Sequence, residues 1–273
     1  MRVVAASRAV RRLATRASSA VSATAPRFAG CSVLVTGGAA GIGKAIAASF
    51  GGEGSRVVVF DREVAAGGDD SIEHRCVDIA DREAVAAAVA AAFPAGTLDV
   101  LVNNAAAFVF GDVASVSVAA WRHVLDVNVM GTANVCAAAL PLLERGAGTK
   151  RRRGGSAIVM LSSISAFIAQ PAFVPYAATK AALLQMTRNM AMDGAAKGIR
   201  VNAVCPGPIL TAATAKHAAS LGKSVVRAND SGRIAPPPAN KLIRTLSLVA
   251  GGPGRRDGWP PHHQAHGHAR GGG

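Results

Sequence analysis

The chain has 273 residues, of which 50% are hydrophobic and 17% are charged, so it is long and apolar enough for one large domain with a buried core. No uninterrupted apolar run reaches the roughly 18 residues of a membrane-spanning helix, which argues against an integral membrane protein. The net charge of +14 comes from the ends, because residues 1–30 hold six Arg and no acid, and residues 194–273 hold 11 basic and 2 acidic residues. The middle is nearly neutral and lacks the basic patch on folded structure that nucleic-acid binding needs.

Composition divides the chain into three parts. Residues 1–30 are rich in Arg, Ser and Ala, and a helix near the start would gather four arginines on one side, as is typical of an organelle transit peptide. We expect a mitochondrial protein, with a plastid or cytoplasmic location and a disordered basic tail as alternatives. Residues 31–235 form the folded domain. Residues 236–273 form a Pro/Gly/His-rich, low-complexity tail, whose histidines reflect biased composition and not a metal site.

Strand and helix signals alternate along the middle of the chain. The predicted strands cover 32–36, 56–61, 74–78, 99–103, 156–162 and 200–205. The predicted helices cover 45–50, 82–93 (capped by Asp81), 118–145 and 173–196. Such alternation implies a parallel sheet covered on both faces, so we expect a single, doubly wound α/β domain.

A glycine-rich turn follows the first predicted strand and opens the first helix. Glycines there let the backbone approach a pyrophosphate, and the helix N-terminus offers free N–H groups and a partial positive charge. The spacing G-x-x-x-G-x-G differs from the usual dinucleotide fingerprint, and a tight turn without a ligand is the alternative. The candidate nucleotide-binding residues are Thr36, Gly37, Gly41, Ile42 and Gly43.

Asp61 ends the second predicted strand, 24 residues after Gly37. A carboxylate there can accept hydrogen bonds from both hydroxyls of an adenosine ribose and repels a 2′-phosphate, which favours NAD over NADP. Arg62 follows directly and would soften this preference. The other interpretation of Asp61 is a structural cap of the turn.

Tyr176, the only tyrosine, lies four residues before Lys180 in a predicted helix, so their side chains share one face. A phenol with a pKa near 10 is a poor acid or base at neutral pH. An ammonium group about 4 Å away is worth roughly 4 kcal/mol at an effective dielectric of 20, which would lower the phenol's pKa by about three pH units. The pair is a candidate acid/base catalyst, with an exposed helical pair as the alternative.

The four cysteines contain no C-x-x-C pair and lie far apart in the chain. We therefore expect reduced, mostly buried thiols, with neither a disulfide framework nor a zinc site. These residues are Cys31, Cys76, Cys136 and Cys205.

Seven short segments occur together and in order. They are TGGAAGIG at 36–43, Val77-Asp78, NNAA at 103–106, Asn128 in VLDVNVMG, Ser162-Ser163, Tyr176 with Lys180, and Cys205-Pro206-Gly207. With these segments the chain resembles the short-chain dehydrogenase/reductase family over about residues 30–220, and Ser163 precedes Tyr176 by the family's usual 13 residues. The resemblance implies a Rossmann-like fold and an oxidoreductase that transfers a hydride between NAD(H) and the carbon of a small alcohol or ketone.

The resemblance also implies roles for the matching residues. Tyr176 would exchange a proton with the substrate oxygen, Ser163 would bind that oxygen, and Lys180 would hold the nicotinamide ribose. Asn128 would anchor a water of the proton relay. The remaining cofactor contacts would come from Asp78 at the adenine, Asn104 beside the fourth strand, and Pro206, Gly207 and Thr211 at the nicotinamide end. The largely apolar segment Ile164–Pro175 and the residues after Gly207 would line the substrate pocket.

The sequence departs from the family near Val225, since the family's last helix, Thr-Gly pair and final strand do not occur. A shifted reading frame or alternative splice there would leave the last strand missing or disordered and the sixth strand as an exposed sheet edge. A non-catalytic NAD-binding or interaction protein is therefore the alternative to an active enzyme, and a binder acting through the basic ends is a third hypothesis. We expect a homodimer, because the long helices keep apolar faces, and no nucleic-acid or membrane partner.

Overall fold

The computed structural model describes residues 26–63, 72–149, 154–212 and 214–215. In this part of the chain six strands form one sheet in the order β3-β2-β1-β4-β5-β6, and all neighbouring strands are parallel. The strands are β1 (Ser32–Thr36), β2 (Arg56–Asp61), β3 (Ile72–Cys76), β4 (Val100–Asn103), β5 (Ser156–Leu161) and β6 (Ile199–Val204). The chain runs outward from β1 in one direction and from β4 in the other, so a crevice opens between their carboxyl ends.

Helices cover both faces of the sheet, which confirms the predicted Rossmann-like α/β class. They are α1 (Gly41–Gly52), α2 (Arg82–Ala92), α3 (Val118–Leu125), α4 (Thr132–Ala147) and α5 (Val174–Ala195), with a short 3-10 turn at Ile164–Ala166. Asp81 caps α2 as predicted, because its carboxylate accepts hydrogen bonds from the backbone N–H groups of Glu83 and Ala84. The third strand starts two residues earlier than predicted and ends at Cys76.

The core has two parts, one on each face of the sheet. Along β1 the side chains alternate, so Val33 and Val35 pack with Ile46 and Phe50 of α1, whereas Leu34 packs on the opposite face. That second face is covered by α2 and α4, whose inward residues include Val85, Val89, Val135 and Leu143. The inner strands β1, β2, β4 and β5 are buried on both faces and are nearly continuous apolar runs, whereas the edge strands β3 and β6 carry polar residues and are only partly buried.

The predicted helix 118–145 is not a regular α-helix throughout. A π-helical segment, Asp126–Gly131, separates α3 from α4. By length and composition alone the stretch Val118–Ala147 would pass as a membrane span, with a mean hydropathy of 1.3. However, Val135 and Leu143 on this stretch are fully buried in the core, which is the burial pattern of a helix packed on a sheet.

The folded domain starts earlier than residue 31. The ring of Phe28 lies 4.9 Å from the ring of Phe50, and the Phe28 N–H donates to the carbonyl of Glu53. Residues 26–30, which were predicted to belong to the transit peptide, therefore pack against the end of α1. The rest of the predicted transit peptide, the low-complexity tail and the place of a last strand lie outside the described residues, so those predictions remain predictions.

Candidate active site

The glycine-rich turn between β1 and α1 is built so that side chains do not fit. A Cβ at Gly37 would lie 2.7 Å from the Ala105 Cα, and a Cβ at Gly43 would collide with the carbonyl of Gly37. Gly37 and Gly41 have φ of +67° and +55°, a conformation that glycine adopts without strain. The bare backbone therefore lies directly at the crevice.

A cleft of about 280 Å³ opens at this turn. The first turn of α1 lines it with Gly41 and Ile42, and among the described residues no side chain caps that end of the helix. A helix N-terminus with unclaimed N–H groups and a glycine cradle fits the pyrophosphate of a dinucleotide. The other lining residues include Asp61, Arg62, Asp78, Asn104, Phe108 and Thr211.

Asp61 both lines the cleft and caps the turn, so the two interpretations of this residue hold together. Its Oδ2 accepts a hydrogen bond from the Ala39 N–H at 2.9 Å, and its Oδ1 accepts one from the Glu63 N–H at 3.3 Å. Asp78 likewise lines the cleft and accepts from the Ala80 N–H at 2.9 Å. Both predicted carboxylates are thus at the cleft with fixed orientations.

Thr36 and Asn104 join the ends of β1 and β4. The Thr36 hydroxyl accepts hydrogen bonds from the N–H groups of Asn104 and Ala105, both at 3.1 Å. The Asn104 amide donates to the carbonyls of Thr36 and Gly37, at 3.0 and 2.8 Å. Asn104 lines the cleft as predicted, but Thr36 and Gly43 do not, because they hold the turn from behind.

Pro206 and Gly207 also lie off the cleft. The Pro206 carbonyl accepts a hydrogen bond from the Ile164 N–H at 3.1 Å, so the segment after β6 is attached to the segment after β5. Thr211 does line the cleft, and a Cβ at Gly41 would come within 3.5 Å of its methyl group. Of the three residues predicted at the nicotinamide end, only Thr211 borders the cleft.

The four predicted catalytic residues are all buried, and several are joined directly. Tyr176 and Lys180, in the first two turns of α5, are 8% and 3% exposed. Ser163 follows β5 and shares a hydrogen bond with the Tyr176 phenol. The Ser163 hydroxyl also lies 3.2 Å from the Ser165 hydroxyl. The Ser165 hydroxyl in turn donates to the side-chain amide oxygen of Gln170, Oε1, at 2.6 Å.

The electrostatics of this pair differ from the prediction. Burial raises the pKa of Tyr176 above its ordinary value, and the hydrogen bond with Ser163 opposes that rise. The Lys180 ammonium donates to the Leu161 carbonyl at 2.8 Å and lies 5.5 Å from the centre of the phenol ring. Its own pKa falls to about 8, mainly through burial, while the electrostatic interaction with Cys205 opposes the fall. The predicted lowering of the phenol's pKa is therefore wrong for this structure.

Asn128 lies in the π-helical segment and is 0% exposed. Its Oδ1 accepts from the Ala107 N–H at 2.7 Å, and its Nδ2 donates to the Ala107 carbonyl and to the Thr179 hydroxyl, both at 3.0 Å. The side chain thus joins the segment after β4 to α5. The water relay implied by the family resemblance remains a prediction.

Sequence reasoning missed an aromatic group around the phenol. The Phe108 ring stacks on the Tyr176 ring at 5.2 Å, and the rings of Phe110 and Phe173 lie 6.1 and 6.3 Å from it. The signal was present as the Phe-Val-Phe run just after NNAA, in a chain with few aromatic residues.

All four cysteines are free thiols, as predicted, but Cys76 is exposed and Cys205 is only partly buried. Within the described ranges no group of three or more His, Cys, Asp or Glu side chains is placed to hold a metal ion.

Comparison with known proteins decides the family. A family profile described as short chain dehydrogenase matches residues 32–221. The chain belongs to the short-chain dehydrogenase family. It is an oxidoreductase of the hydride-transferring kind, and this family uses the nicotinamide nucleotides NAD(P).

Relatives within this family include several named dehydrogenases. The chain is 36% identical over 188 residues to 2-(S)-hydroxypropyl-CoM dehydrogenase 3 of Xanthobacter autotrophicus, covering 65% of this chain and 71% of that protein. It is 36% identical over 200 residues to galactitol 2-dehydrogenase (L-tagatose-forming) of Cereibacter sphaeroides, covering 70% and 76%. The ligand-free structure of Thermoplasma acidophilum aldohexose dehydrogenase matches with a TM-score of 0.71 and 29% identity, over 83% of this chain and 89% of that one.

The buried lysine gives a pH-dependent stability that can be measured. Below pH 8 Lys180 is protonated in both the folded and the unfolded protein. Between pH 8 and pH 10.5, the ordinary pKa of lysine, the unfolded chain keeps a proton that the folded chain has lost. Stability therefore rises with pH across this window, by about 3 kcal/mol at about 1.4 kcal/mol per pH unit. We expect the free energy of unfolding of the native protein, minus that of Lys180→Met, to rise by this amount in urea titrations. If the difference between the two free energies of unfolding stays constant from pH 7 to 10.5, burial does not lower the pKa of Lys180.

Proposed function

We propose that this oxidoreductase interconverts a small-molecule alcohol and its ketone or aldehyde, with Tyr176 as the proton-exchanging group. The observation that carries the proposal is the buried phenol, which is hydrogen-bonded to Ser163, lies beside Lys180 and stacks on Phe108, a residue that lines the cleft with the glycine cradle. The names of the relatives, which include a galactitol and a hydroxypropyl-CoM dehydrogenase, support a substrate with a hydroxyl-bearing carbon.

Each side chain has a defined task in this reaction. A bound nicotinamide nucleotide supplies the hydride for reduction or accepts it in oxidation. During reduction the phenol of Tyr176 donates its proton to the substrate oxygen, and in oxidation the phenolate takes that proton back. Ser163 donates a hydrogen bond to the same oxygen and holds it within reach of the phenol. Asn128 keeps the segment after β4 in place against α5.

The Tyr176 phenol is in the protonation state that the reducing direction requires. A phenol is protonated at neutral pH, and burial raises the pKa of Tyr176 further, so the side chain holds the proton that reduction of a carbonyl needs. The Lys180 ammonium lies beside the phenol ring and uses one of its three N–H donors for the Leu161 carbonyl, so another donor can bind a hydroxyl of the ligand.

Replacing Tyr176 with Phe tests the assignment, because it removes only the hydroxyl. We expect Tyr176→Phe to lower kcat by about 10²–10⁴-fold, the usual contribution of a general acid or base. The thermal midpoint should still rise on adding NADH, since the cleft residues are unchanged. Activity within tenfold of the native protein would show that another group exchanges the proton.

We also propose that the cofactor is NAD(H) and that NADP(H) is used less well. Support comes from the Asp61 carboxylate, which lines the cleft at the end of β2 and is held by the Ala39 N–H. A fixed negative charge there favours ribose hydroxyls and repels a 2′-phosphate. Arg62, which also lines the cleft, acts against this preference.

The change Asp61→Asn tests the cofactor preference and keeps an oxygen acceptor for the Ala39 N–H. We expect kcat/KM with NADP to rise by about tenfold relative to kcat/KM with NAD, because the repelling charge is gone. Asp78→Asn is the matched control, since it removes a second cleft carboxylate and should leave the ratio unchanged. A native preference for NADP, or equal ratios in both variants, would refute the proposal.

Two wider expectations concern the protein in the cell. We propose delivery to the mitochondrion, supported by the acid-free, Arg-rich residues 1–30. We also propose a homodimer, supported by the exposed apolar side chains of Leu125, Met130 and Met192. Full-length chain with a C-terminal fluorescent tag should co-localise with a mitochondrial marker, and deletion of residues 1–25 should abolish this. Native mass of the purified protein should be twice the chain mass. Plastid or cytoplasmic signal, or a monomer mass, would refute the respective expectation.

A further inference from the structure

The surroundings of the Tyr176 phenol are aromatic, and we infer that they select the substrate. The inference rests on the proposed function: the alcohol or ketone carries an aromatic or similarly flat apolar group beside its reacting carbon, and Phe108 is the residue that recognises it.

The aromatic wall is defined as Phe108, Phe110 and Phe173. Phe108 stacks on Tyr176 with an angle of 19° between the ring planes, and Phe110 packs on Phe173 with centroids 4.7 Å apart. Phe108 is 49% exposed and also lines the nucleotide cleft. It therefore offers an exposed ring surface that connects the cleft to the phenol on which it stacks, and a second flat group can stack there.

The wall is held at two points of its backbone. Asn128 makes two hydrogen bonds to Ala107, the residue before Phe108. Further along, the Gly111 N–H donates to the Ala172 carbonyl at 2.7 Å, and the Gly111 carbonyl accepts from the Val174 N–H at 3.3 Å. A Cβ at Gly111 would collide with the Val116 side chain, so this tie needs glycine. A clamped loop positions its rings before the substrate arrives, which favours selectivity.

The neighbouring segments add apolar surface and little polar surface. Between Ser163 and Tyr176 the exposed large apolar side chains include Phe167 and Ile168, and just before Thr211 they include Ile209 and Leu210. Gln170 is the main polar side chain in the segment between Ser163 and Tyr176. Its side-chain amide oxygen already accepts a hydrogen bond from the Ser165 hydroxyl. A polyol would lose water from several hydroxyls against such a wall, whereas an aryl carbinol would lose water from one hydroxyl that Ser163 and Tyr176 bind.

A substrate comparison tests the inference. With the full-length protein and NAD, we expect kcat/KM for 1-phenylethanol to exceed that for galactitol by about 100-fold, and that for 1-cyclohexylethanol to lie between them. Faster turnover of galactitol than of 1-phenylethanol would overturn the inference and leave the proposed function standing. No turnover of any alcohol, with no rise in thermal midpoint on adding NADH, would overturn both.

Substitution of Phe108 tests whether its ring binds the aromatic group of the substrate or only fills space beside the phenol. We expect Phe108→Ala to lower kcat/KM for 1-phenylethanol by about tenfold and that for 2-propanol much less, because only the first loses a stacking partner. Phe108→Leu, which keeps apolar volume, should give an intermediate loss. Phe28→Leu is the matched control, since its ring packs on Phe50 away from the cleft, and it should leave the substrate ratio unchanged. An equal gain or equal loss for both alcohols in Phe108→Ala would overturn the inference.

Discussion

The site depends on one buried amide. Asn128 is fully enclosed, and its three hydrogen bonds connect the π-helical segment, the loop after β4 and helix α5. The loop carries the aromatic wall and helix α5 carries Tyr176 and Lys180, so the amide fixes the spacing between the wall and the proposed acid/base pair. Because a buried amide that loses partners is costly, the three elements hold one another in a single arrangement.

The π-helical segment explains how Asn128 reaches both partners. A regular helix over 118–147 would place the residue at a fixed angle set by 3.6 residues per turn. The wider turn breaks that periodicity, and π-helical insertions are often found at functional sites. Gly131 lies at the end of this segment against Ile79, where a Cβ would come within 2.7 Å of the isoleucine side chain. The backbone of the π-helical segment thus packs closely against the loop that precedes α2.

The parts of the site that follow from local sequence were predictable. Strands β1, β2 and β4 are apolar runs, and each of β1 to β4 ends in or is soon followed by Gly, Asp or Asn. The glycine turn, Asp61, Asp78 and Asn104 were therefore placed at the correct edge of the sheet. The π-helical segment was not predictable, because one wide turn inside a long helix leaves no distinct spacing of apolar residues in the sequence. The tyrosine pKa was mispredicted for a similar reason: spacing alone places Lys180 near Tyr176, but the ammonium turns to the Leu161 carbonyl and burial acts on the phenol. The contact of Phe28 with Phe50 joins residues far apart in sequence, and no local pattern shows it.

Lys180 has a consequence for the evolution and handling of this protein. An ammonium enclosed in the core with one carbonyl partner makes the resting protein less stable than an apolar side chain of the same size would. Selection for solubility or heat resistance alone would therefore favour its replacement by an apolar residue. A screen for stabilised variants should therefore follow residue 180, because the proposed function uses a side chain that lowers the stability of the fold.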